Sequence, residues 1–390
     1  MFSKPQIEKF NGLGTPFYYY DLDLLKKTLS ALIEESSKRN YKIHYALKAN
    51  SNDKILNLIS SFGLGADCVS GNEIKKALET GFKNVDVVFA GVGKSDSEIV
   101  TAVDNNISCF NVESIQEIEV INSIAESKNK NVGIALRINP NIDAKTHHYI
   151  TTGLEENKFG INMWELSSII EKLPSQKNIN LLGLHFHIGS QVNDLNVYKG
   201  LCIRINEIQK WFSDHNFQFD YLNVGGGLGI NYENPDSELV PDFESYFQVF
   251  EKFLQARTEQ KIHFEIGRAI VGQCGSLISK VLFIKKGVNI NFVILDAGMT
   301  ELIRPALYQA YHKIENLTKT EIQNHKSEII KYDVVGPICE SSDTFAKSVL
   351  LPETKRGDLI AIRSTGAYGE VMTSGYNLRD RIKTYFSDQL

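Results

Sequence analysis

The residues of this chain that could do chemistry stand at the ends of short apolar runs. Lys48 closes the run Ile43–Lys48, and an amine that loses contact with water is more easily deprotonated, which lets it form a Schiff base. Glu265 and Arg268 close the run His263–Arg268. Inside a protein, a carboxylate could face a pyridine nitrogen and an arginine could face a carboxylate or phosphate. A solvated lysine and a surface ion pair fit these positions as well.

Glycines 225, 226, 227 and 229 follow another apolar run. Consecutive glycines let backbone N–H groups approach an oxyanion, and loops after the last strands of barrels often hold phosphate. The cluster is not a dinucleotide-binding fingerprint, because Ile230 stands where that motif requires glycine. The stretch GVGKS at 91–95 is not a P-loop either, because Val88 replaces the required glycine. We expect a solvated loop there.

His185 and His187 lie two residues apart, so a strand would present both on one face. Such a pair can bind a metal in barrel hydrolases that also use a lysine, can pack in a core, or can stack one ring on a flat cofactor. No third ligand accompanies the pair at a suitable spacing, so we expect no metal.

These residues are carried by a regular alternation of apolar runs and segments of helical period. Eight alternations in about 240 residues predict a closed (β/α)8 barrel rather than an open doubly wound sheet. Polar residues cluster at the carboxyl ends of the runs, where barrels build active sites. We expect Asp53 and Asn72 to cap two of the helices. The eight runs are Ile43–Lys48, Gly65–Ser70, Val85–Gly91, Cys109–Glu113, Gly133–Asn139, Leu181–Ile188, Tyr221–Gly225 and His263–Arg268.

After about residue 275 the alternation stops, and strand-like segments follow one another with a single predicted helix, 301–314. The aromatic stretch FYYY at 17–20 suits a strand that pairs with them, and a helix is expected over Asp21–Ser37. The sequence therefore predicts a barrel over 28–275 and a β-rich domain over 1–27 and 276–390.

Composition excludes several classes of protein. The net charge is -5 without a basic stripe, so nucleic acid is not an expected partner. No apolar run is long enough to span a membrane, and the amino terminus lacks an apolar signal core, so we expect a cytoplasmic protein. The five cysteines, at 68, 109, 202, 274 and 339, do not form a disulfide framework.

Together the motifs resemble the diaminopimelate decarboxylases, pyridoxal 5'-phosphate enzymes with an alanine racemase-like fold. The resemblance implies a barrel with a C-terminal β-rich domain, and a homodimer with shared active sites. EIGR replaces the family's usual EPGR at 265–268. The resemblance is carried by YALKAN, DAKTHHYITTGLEENKFGI, GLHFHIGSQ, NVGGGLGI, EIGR, LDAGMTELIRPALYQAYH, VVGPICESSD and GAYG, between Lys48 and Gly369.

The resemblance also implies which residues bind the cofactor. Lys48 matches the lysine that forms a Schiff base with pyridoxal phosphate, and His187 matches the ring that stacks on the cofactor. Glu265 matches the partner of the pyridine nitrogen. The remaining cofactor-binding matches are Ser190, Gly225, Gly226 and Gly227 at the phosphate, with Arg268 and Tyr368.

For the substrate, the resemblance implies meso-2,6-diaminopimelate, which would be decarboxylated to L-lysine. Cys339 matches a residue inserted by the partner subunit, and we expect it to return a proton to the α-carbon. Arg304 would select the distal carboxylate. The substrate-binding matches are Arg268, Arg304, Tyr308, Glu340 and Tyr368, with Glu340 also from the partner subunit.

Other functions remain open at this point. The same fold hosts decarboxylases of ornithine, lysine or carboxynorspermidine, and a metal-dependent barrel hydrolase could use the histidine pair with Lys48. A non-catalytic binding member of the fold is a third alternative, although such small barrels lack the β-rich domain. Residues 143–153, which include His147 and His148, are a candidate lid.

Overall fold

The computed structural model describes residues 2–142, 158–320 and 328–390 of the chain. The chain divides into two compact units. One comprises Leu29–Gly229 and Asp242–Arg268, and the other comprises Met1–Thr28, Ile230–Pro241 and Ala269–Leu390. The chain begins with α1 (Lys4–Asn11), β1 (Phe17–Tyr20) and α2 (Leu22–Ser37), and α2 confirms the helix expected from residue 21.

The first unit is a closed barrel of eight parallel strands, which confirms the predicted fold class. Each strand pairs with the next, and the last strand pairs with the first, with Lys42 beside His263. The strands are β2 (Lys42–Ala46), β3 (Gly65–Cys68), β4 (Val87–Phe89), β5 (Cys109–Val112), β6 (Val132–Arg137), β7 (Ile179–His185), β8 (Tyr221–Gly226) and β9 (Lys261–Ile266).

Helices connect the strands and bury one face each. In α8 the buried residues recur every three or four positions, as an amphipathic helix against a sheet requires: Val197, Tyr198, Leu201, Cys202, Ile205, Ile208 and Phe212. The helices after the first seven barrel strands are α3 (Asp53–Ser61), α4 (Gly71–Glu79), α5 (Asp96–Asp104), α6 (Ile115–Ser127), α7 (Leu166–Lys172), α8 (Leu195–Asp214) and α9 (Phe243–Phe253), and β9 is followed by the short α10 (Arg268–Val271).

The caps of two of these helices differ from the expected residues. Asn52, not Asp53, caps α3 and accepts a hydrogen bond from the N–H of Lys54. Ser70, not Asn72, caps α4. Each helix therefore begins one or two residues earlier than expected, and each cap is a residue type that is favoured at this position.

The amino-terminal part of the barrel interior holds a pair of buried histidines. Nδ1 of His44 lies 3.1 Å from the carbonyl oxygen of Asp86, so it must carry the hydrogen. Nε2 of His44 therefore accepts from Nδ1 of His263, 2.8 Å away. Burial lowers the pKa of His44 to about 4, and the stacked rings fill the barrel as neutral groups.

The second unit is built on an eight-stranded sheet. Its central path runs β12-β15-β10-β11-β13-β14, and β1 pairs with both β10 and β16, which confirms that FYYY joins this domain. Its remaining elements are β10 (Gly275–Lys286), β11 (Asn291–Leu295), α11 (Arg304–Tyr308), β12 (Ile314–Asn316), α12 (Leu317–Thr320), β13 (Ile329–Val335), β14 (Thr344–Pro352), β15 (Leu359–Ile362) and β16 (Lys383–Phe386).

Apolar residues from α1 and the sheet form a core within this unit. Aromatic edge-to-face contacts dominate it, with the ring centres of Phe10 and Tyr19 5.0 Å apart. The members of this core are Ile7, Phe10, Phe17, Tyr19, Ile278, Leu317, Leu359 and Ala361.

Among the helices of the described ranges, none has both the length and the apolar character that a membrane crossing requires.

The helix expected over 301–314 is wrong, because only Arg304–Tyr308 is helical. Pro305 occupies the first turn, where its missing N–H does no harm. The helix ends at Gln309, whose left-handed φ of 53° reverses the chain. A short helix followed by β12 therefore replaces the long helix.

In the stretch GVGKS, Val92, Gly93 and Ser95 are exposed, as expected of a solvated loop, whereas the side chain of Lys94 is only 1% exposed. Its ammonium lies 2.8 Å from the carbonyl oxygens of Gly91 and Asn111, and 2.6 Å from the Glu117 carboxylate. Lys94 thus ties the end of β5 to the loop after β4 and to α6. A buried ammonium is tolerated here because its hydrogens have acceptors.

Two glycines give a matched test of the packing. An alanine Cβ at Gly183 would lie 1.8 Å from the carbonyl oxygen of Tyr221 on β8, whereas one at Gly200 in α8 meets nothing within 4 Å. We expect Gly183→Ala to lower the free energy of unfolding by about 2–3 kcal/mol and Gly200→Ala to raise it by about 0.5–1 kcal/mol. Denaturant unfolding followed by circular dichroism measures both changes, and a Gly183→Ala protein as stable as wild type would contradict the packing.

Candidate active site

Lys48 lies just beyond β2, in a short 3-10 turn spanning Leu47–Ala49. Its side chain remains 37% exposed, between the buried amine and the solvated lysine considered above. Nζ lies 3.1 Å from Oδ2 of Asp67, which is buried on the neighbouring strand β3. We missed Asp67 in the sequence, although a carboxylate within an apolar strand run was the available signal.

The surroundings of Asp67 disfavour the ionised form of its carboxyl group. Burial, with the nearby negative charge of Glu265, raises the pKa of Asp67 to about 7, and the ammonium of Lys48 only partly offsets this. The 3.1 Å contact favours an ion pair, while burial favours a neutral carboxyl. Burial is the larger effect, since Asp67 has no exposed surface, and its carboxyl group therefore holds a proton to a higher pH than an ordinary aspartate.

Glu265 lies at the carboxyl end of β9 and is held by three side chains from other strands. Oε1 accepts hydrogen bonds from the amides of Asn111 at 3.0 Å and Asn223 at 2.8 Å, and Oε2 lies 3.0 Å from Nε2 of His185. Burial alone would raise the pKa of Glu265. The charge and hydrogen bond of His185, together with Lys48, hold it well below its usual value. The buried carboxylate is therefore ionised.

His187 follows His185 beyond the end of β7 and has a different partner. Its Nδ1 accepts a hydrogen bond from the N–H of Gly226 at 3.4 Å. Burial, and then the positive charges of Arg137 and Lys48, lower the pKa of His187 well below its usual value. The ring is therefore neutral at physiological pH and presents a flat, uncharged surface.

The glycine cluster lies where the backbones of β7, β8 and β9 approach closely. An alanine Cβ at Gly226 would lie 1.7 Å from the carbonyl oxygen of Glu265, and one at Gly225 would lie 2.2 Å from that of Phe186. Gly225 and Gly227 also have left-handed φ values of 74° and 101°, which glycine adopts most readily. The cluster therefore forms a tight backbone turn beside the Glu265 strand.

Arg268 begins α10 and is buried. Its Nη2 donates a hydrogen bond to Oγ of Ser190 at 3.1 Å, and Ser190 lies in the loop after β7. Glu265 and Arg268 thus bond to different partners, so the surface ion pair considered above is not formed. A guanidinium beside a serine hydroxyl and a glycine-rich loop is a suitable environment for an anion.

The first unit therefore brings together, at the carboxyl ends of its strands, nine of the residues singled out in the sequence. Three polar residues that we did not single out extend this group from β3, β5 and β8. The nine are Lys48, His185, His187, Ser190, Gly225, Gly226, Gly227, Glu265 and Arg268, and the three are Asp67, Asn111 and Asn223.

The other candidate residues belong to the second unit, in which Arg304 is buried. It is 6% exposed, and its Nη1 donates hydrogen bonds to the hydroxyl of Tyr232 and to Nε2 of His312, each at 2.9 Å. Its guanidinium also lies 5.0 Å from the ring centre of Tyr232. The carboxylate of Glu301 bonds to the N–H of Gly298 instead of pairing with Arg304.

Cys339 and Glu340 are both exposed on this chain. The backbone N–H of Cys339 donates to the side chain of Asn377 at 3.3 Å, and the hydroxyl of Tyr376 donates to Oε1 of Glu340 at 2.7 Å. The segment 339–340 is thus anchored to the segment 376–377 while its two functional groups face outward.

Tyr308 is the last residue of α11, and Tyr368 is a partly buried residue with a left-handed φ of 56°. A tyrosine in this conformation is strained, and strained residues concentrate at functional sites. The candidate lid, 143–153, lies outside the described residues.

The barrel group offers a defined chemistry. Lys48 supplies an amine with a proton acceptor beside it, and Glu265 supplies an ionised carboxylate that can hold a proton on a ring nitrogen. His187 supplies a flat neutral face, and Ser190 with Arg268 supplies donors for an anion. This combination suits a planar, phosphorylated heterocycle that carries an aldehyde.

Comparison with known proteins gives a consistent result. Residues 23–272 match the family model described as pyridoxal-dependent decarboxylase, pyridoxal binding domain. The diaminopimelate decarboxylase of Bacteroides thetaiotaomicron is 55% identical over 385 residues, which cover 98% of this chain and 98% of that protein.

Two solved structures are similar to the whole chain. The diaminopimelate decarboxylase of Helicobacter pylori complexed with L-lysine is 42% identical with a TM-score of 0.91, covering 99% of this chain and 94% of that one. The diaminopimelate decarboxylase of M. jannaschii in co-complex with L-lysine is 32% identical with a TM-score of 0.88, covering 98% of this chain and 89% of that one.

The balance at Asp67 predicts a pH dependence of stability. Its pKa is raised on folding, so the folded state holds a proton that the unfolded state has lost between about pH 4 and pH 7. The quantity to compare is the free energy of unfolding of wild type minus that of Asp67→Asn. We expect this difference to be largest at about pH 4 and to fall towards pH 7, by at most about 1.4 kcal/mol per pH unit.

The measurement is the free energy of unfolding of both proteins across this pH range, with the exposed Asp220→Asn as the matched control. A difference that stays constant with pH would mean that Asp67 remains ionised beside Lys48.

Proposed function

Because the chain belongs to the diaminopimelate decarboxylases, we propose that the residues gathered at the carboxyl end of its barrel bind the cofactor and serve the reaction of that family. The enzyme removes CO2 from meso-2,6-diaminopimelate and forms L-lysine, the last step of lysine biosynthesis, with pyridoxal 5'-phosphate as its cofactor. The observation that carries the assignment of residues is the ionised carboxylate of Glu265, held in the barrel by three donors.

The barrel residues fit this cofactor. Lys48 would hold its aldehyde carbon, and Glu265 would hold its ring nitrogen. The neutral ring of His187 would lie against its face, and Ser190, Arg268 and the turn at 225–227 would hold its phosphate. The orphaned Oδ1 of Asp67 indicates that this buried pocket is built to take a further polar group.

The chemistry supplied by bound pyridoxal phosphate is an electron sink for the bond pair left when the carboxylate departs. Glu265 keeps a proton on the ring nitrogen, because an ionised carboxylate favours the protonated form of a neighbouring base. Asp67 takes or returns the proton at Nζ of Lys48, since its pKa of about 7 lies close to the working pH.

Arg304 supports the choice of a substrate with a carboxylate at its far end. The guanidinium is buried and already positioned by Tyr232 and His312. A substrate that lacks the distal carboxylate would not supply the counter-charge that this buried guanidinium could bind, at a cost of about 2–5 kcal/mol. We assign Arg268, Tyr308 and Tyr368 to the substrate as well.

We further propose that the enzyme is a homodimer with shared active sites, in which each chain lends Cys339 and Glu340 to its partner. The exposure of both residues supports this role. On this proposal, residues 28–275 form the cofactor-binding barrel, and residues 1–27 and 276–390 form the domain that contributes to the shared site. Since lysine is used in protein synthesis, we place the enzyme in the cytoplasm.

Product analysis tests the proposed function. The cofactor-loaded protein is incubated with meso-diaminopimelate, ornithine or lysine, and the released CO2 and amine are measured. We expect kcat/KM for diaminopimelate to exceed that for the other two by about 30-fold to 5,000-fold, the equivalent of about 2–5 kcal/mol for the missing carboxylate at Arg304. Equal turnover of ornithine or lysine would favour the alternative decarboxylases of this fold.

Lys48→Ala tests the attachment of the cofactor. Borohydride reduces a Schiff base to a stable amine, so we expect the wild-type protein to retain cofactor mass after reduction and denaturation, and Lys48→Ala to retain none. Mass spectrometry measures the attached cofactor. The exposed Lys210→Ala is the matched control and should behave as wild type. Cofactor trapped in Lys48→Ala would assign the bond to another lysine.

Cys339→Ala tests the proton donor. We expect kcat to fall by about 10²-fold to 10⁴-fold, the range typical of a lost general acid, while the visible spectrum of the bound cofactor stays the same. Cys202→Ala, at a buried position in α8, is the control. Wild-type turnover in Cys339→Ala would assign the proton to a different group.

A further inference from the structure

His312 is a buried residue of the second unit that the reaction described above does not use. It is 3% exposed and contacts Arg304 directly, with Nη1 of Arg304 2.9 Å from Nε2 of His312. The two are eight residues apart, and the left-handed Gln309 turns the chain back so that they meet. The turn that ends α11 therefore brings the two side chains into contact.

The hydrogen-bond partners of His312 define its state. Nδ1 lies 2.9 Å from the carbonyl oxygen of Arg363, which can only accept, so Nδ1 carries the hydrogen. Nε2 faces the guanidinium of Arg304, which can only donate, so Nε2 presents its lone pair. Both contacts are satisfied by one neutral tautomer, which makes His312 an acceptor directed at Arg304.

The carbonyl that orients His312 is itself fixed. The N–H of Arg363 donates to the carbonyl oxygen of Lys313 at 2.9 Å. The guanidinium of Arg363 is held by Asp236 at 2.8 Å and Glu315 at 2.7 Å. His312 therefore links Arg304 to the backbone just beyond the end of β15.

Nη1 of Arg304 carries two hydrogens, and their acceptors are the Tyr232 hydroxyl and Nε2 of His312. Two acceptors on one nitrogen fix the plane of a guanidinium, because rotation about the side-chain bonds would break one of the two contacts. The ring of Tyr232 lies edge-on to that of His312, with centres 5.0 Å apart, so the three side chains support one another.

We propose that His312 is a positioning residue that sets the selectivity for a distal carboxylate by fixing the guanidinium plane of Arg304. The proposal rests on the proposed function, since it takes Arg304 as the group that binds this carboxylate. His312 does not touch the reacting atoms. Its removal weakens substrate binding while the chemical step keeps its rate.

A double-mutant cycle tests whether His312 acts through Arg304. The cofactor-loaded wild type, His312→Phe, Arg304→Met and the double variant are assayed with meso-diaminopimelate. In the wild-type background we expect His312→Phe to raise KM by about 10-fold to 100-fold and to change kcat by less than about two-fold. In the Arg304→Met background, the same substitution should change kcat/KM by less than about two-fold.

A matched pair of amides separates the contact from the packing. The side-chain oxygen of glutamine can reach the position of Nε2, whereas that of asparagine reaches only as far as Nδ1. We expect His312→Gln to recover most of the affinity and His312→Asn to resemble His312→Phe. These two variants retain a polar side chain, so they keep the test decisive if His312→Phe does not fold. The exposed His215→Gln is the control.

The outcomes distinguish the two levels of the proposal. An equal loss from His312→Phe in both backgrounds, or a fall in kcat instead of a rise in KM, overturns the role of His312 while decarboxylation stands. A wild-type enzyme that uses ornithine or lysine as well as diaminopimelate overturns the assignment of Arg304, and the role of His312 falls with it.

Discussion

The buried carboxylate of Glu265 is the interaction on which the rest of the barrel depends. An ionised carboxylate away from water costs several kcal/mol, and hydrogen bonds from Asn111, Asn223 and His185 must offset this cost. Each donor comes from a different strand, so the register of β5, β7 and β8 against β9 is tied to one charge. Such a charge, fixed before any ligand binds, requires no reorganisation during the reaction.

The surrounding structure follows from placing this charge at the end of a strand. The backbone of Gly226 passes so close to the Glu265 carbonyl that only glycine fits, and the same turn brings an N–H to His187. The neutral ring of His187 and the partly exposed ammonium of Lys48 belong to the same group of side chains as this carboxylate. The second unit likewise holds a buried charge by hydrogen bonds, since Arg304 donates to Tyr232 and His312.

Much of this arrangement could be predicted from the sequence. Apolar runs of strand length, most of them ending in a polar residue, mark the barrel and the end of it that holds the candidate site, and FYYY was recognisable as a strand of the second domain. The inward-facing Asp67, Asn111 and Asn223 were missed because they interrupt apolar runs, where a single polar residue gives no periodic signal. The end of α11 at Gln309 and the burial of Lys94 depend on tertiary contacts, which local pattern does not contain.

The ionisation of Glu265 in the cofactor-loaded enzyme is the most direct test of this account. An infrared difference spectrum between wild type and Glu265→Gln isolates the bands of this side chain. We predict carboxylate bands and no protonated-carboxyl band from about pH 5 to about pH 8, because the three donors hold the pKa below its usual value. A protonated-carboxyl band near neutral pH would contradict the account, since a neutral Glu265 could not keep a proton on the ring nitrogen.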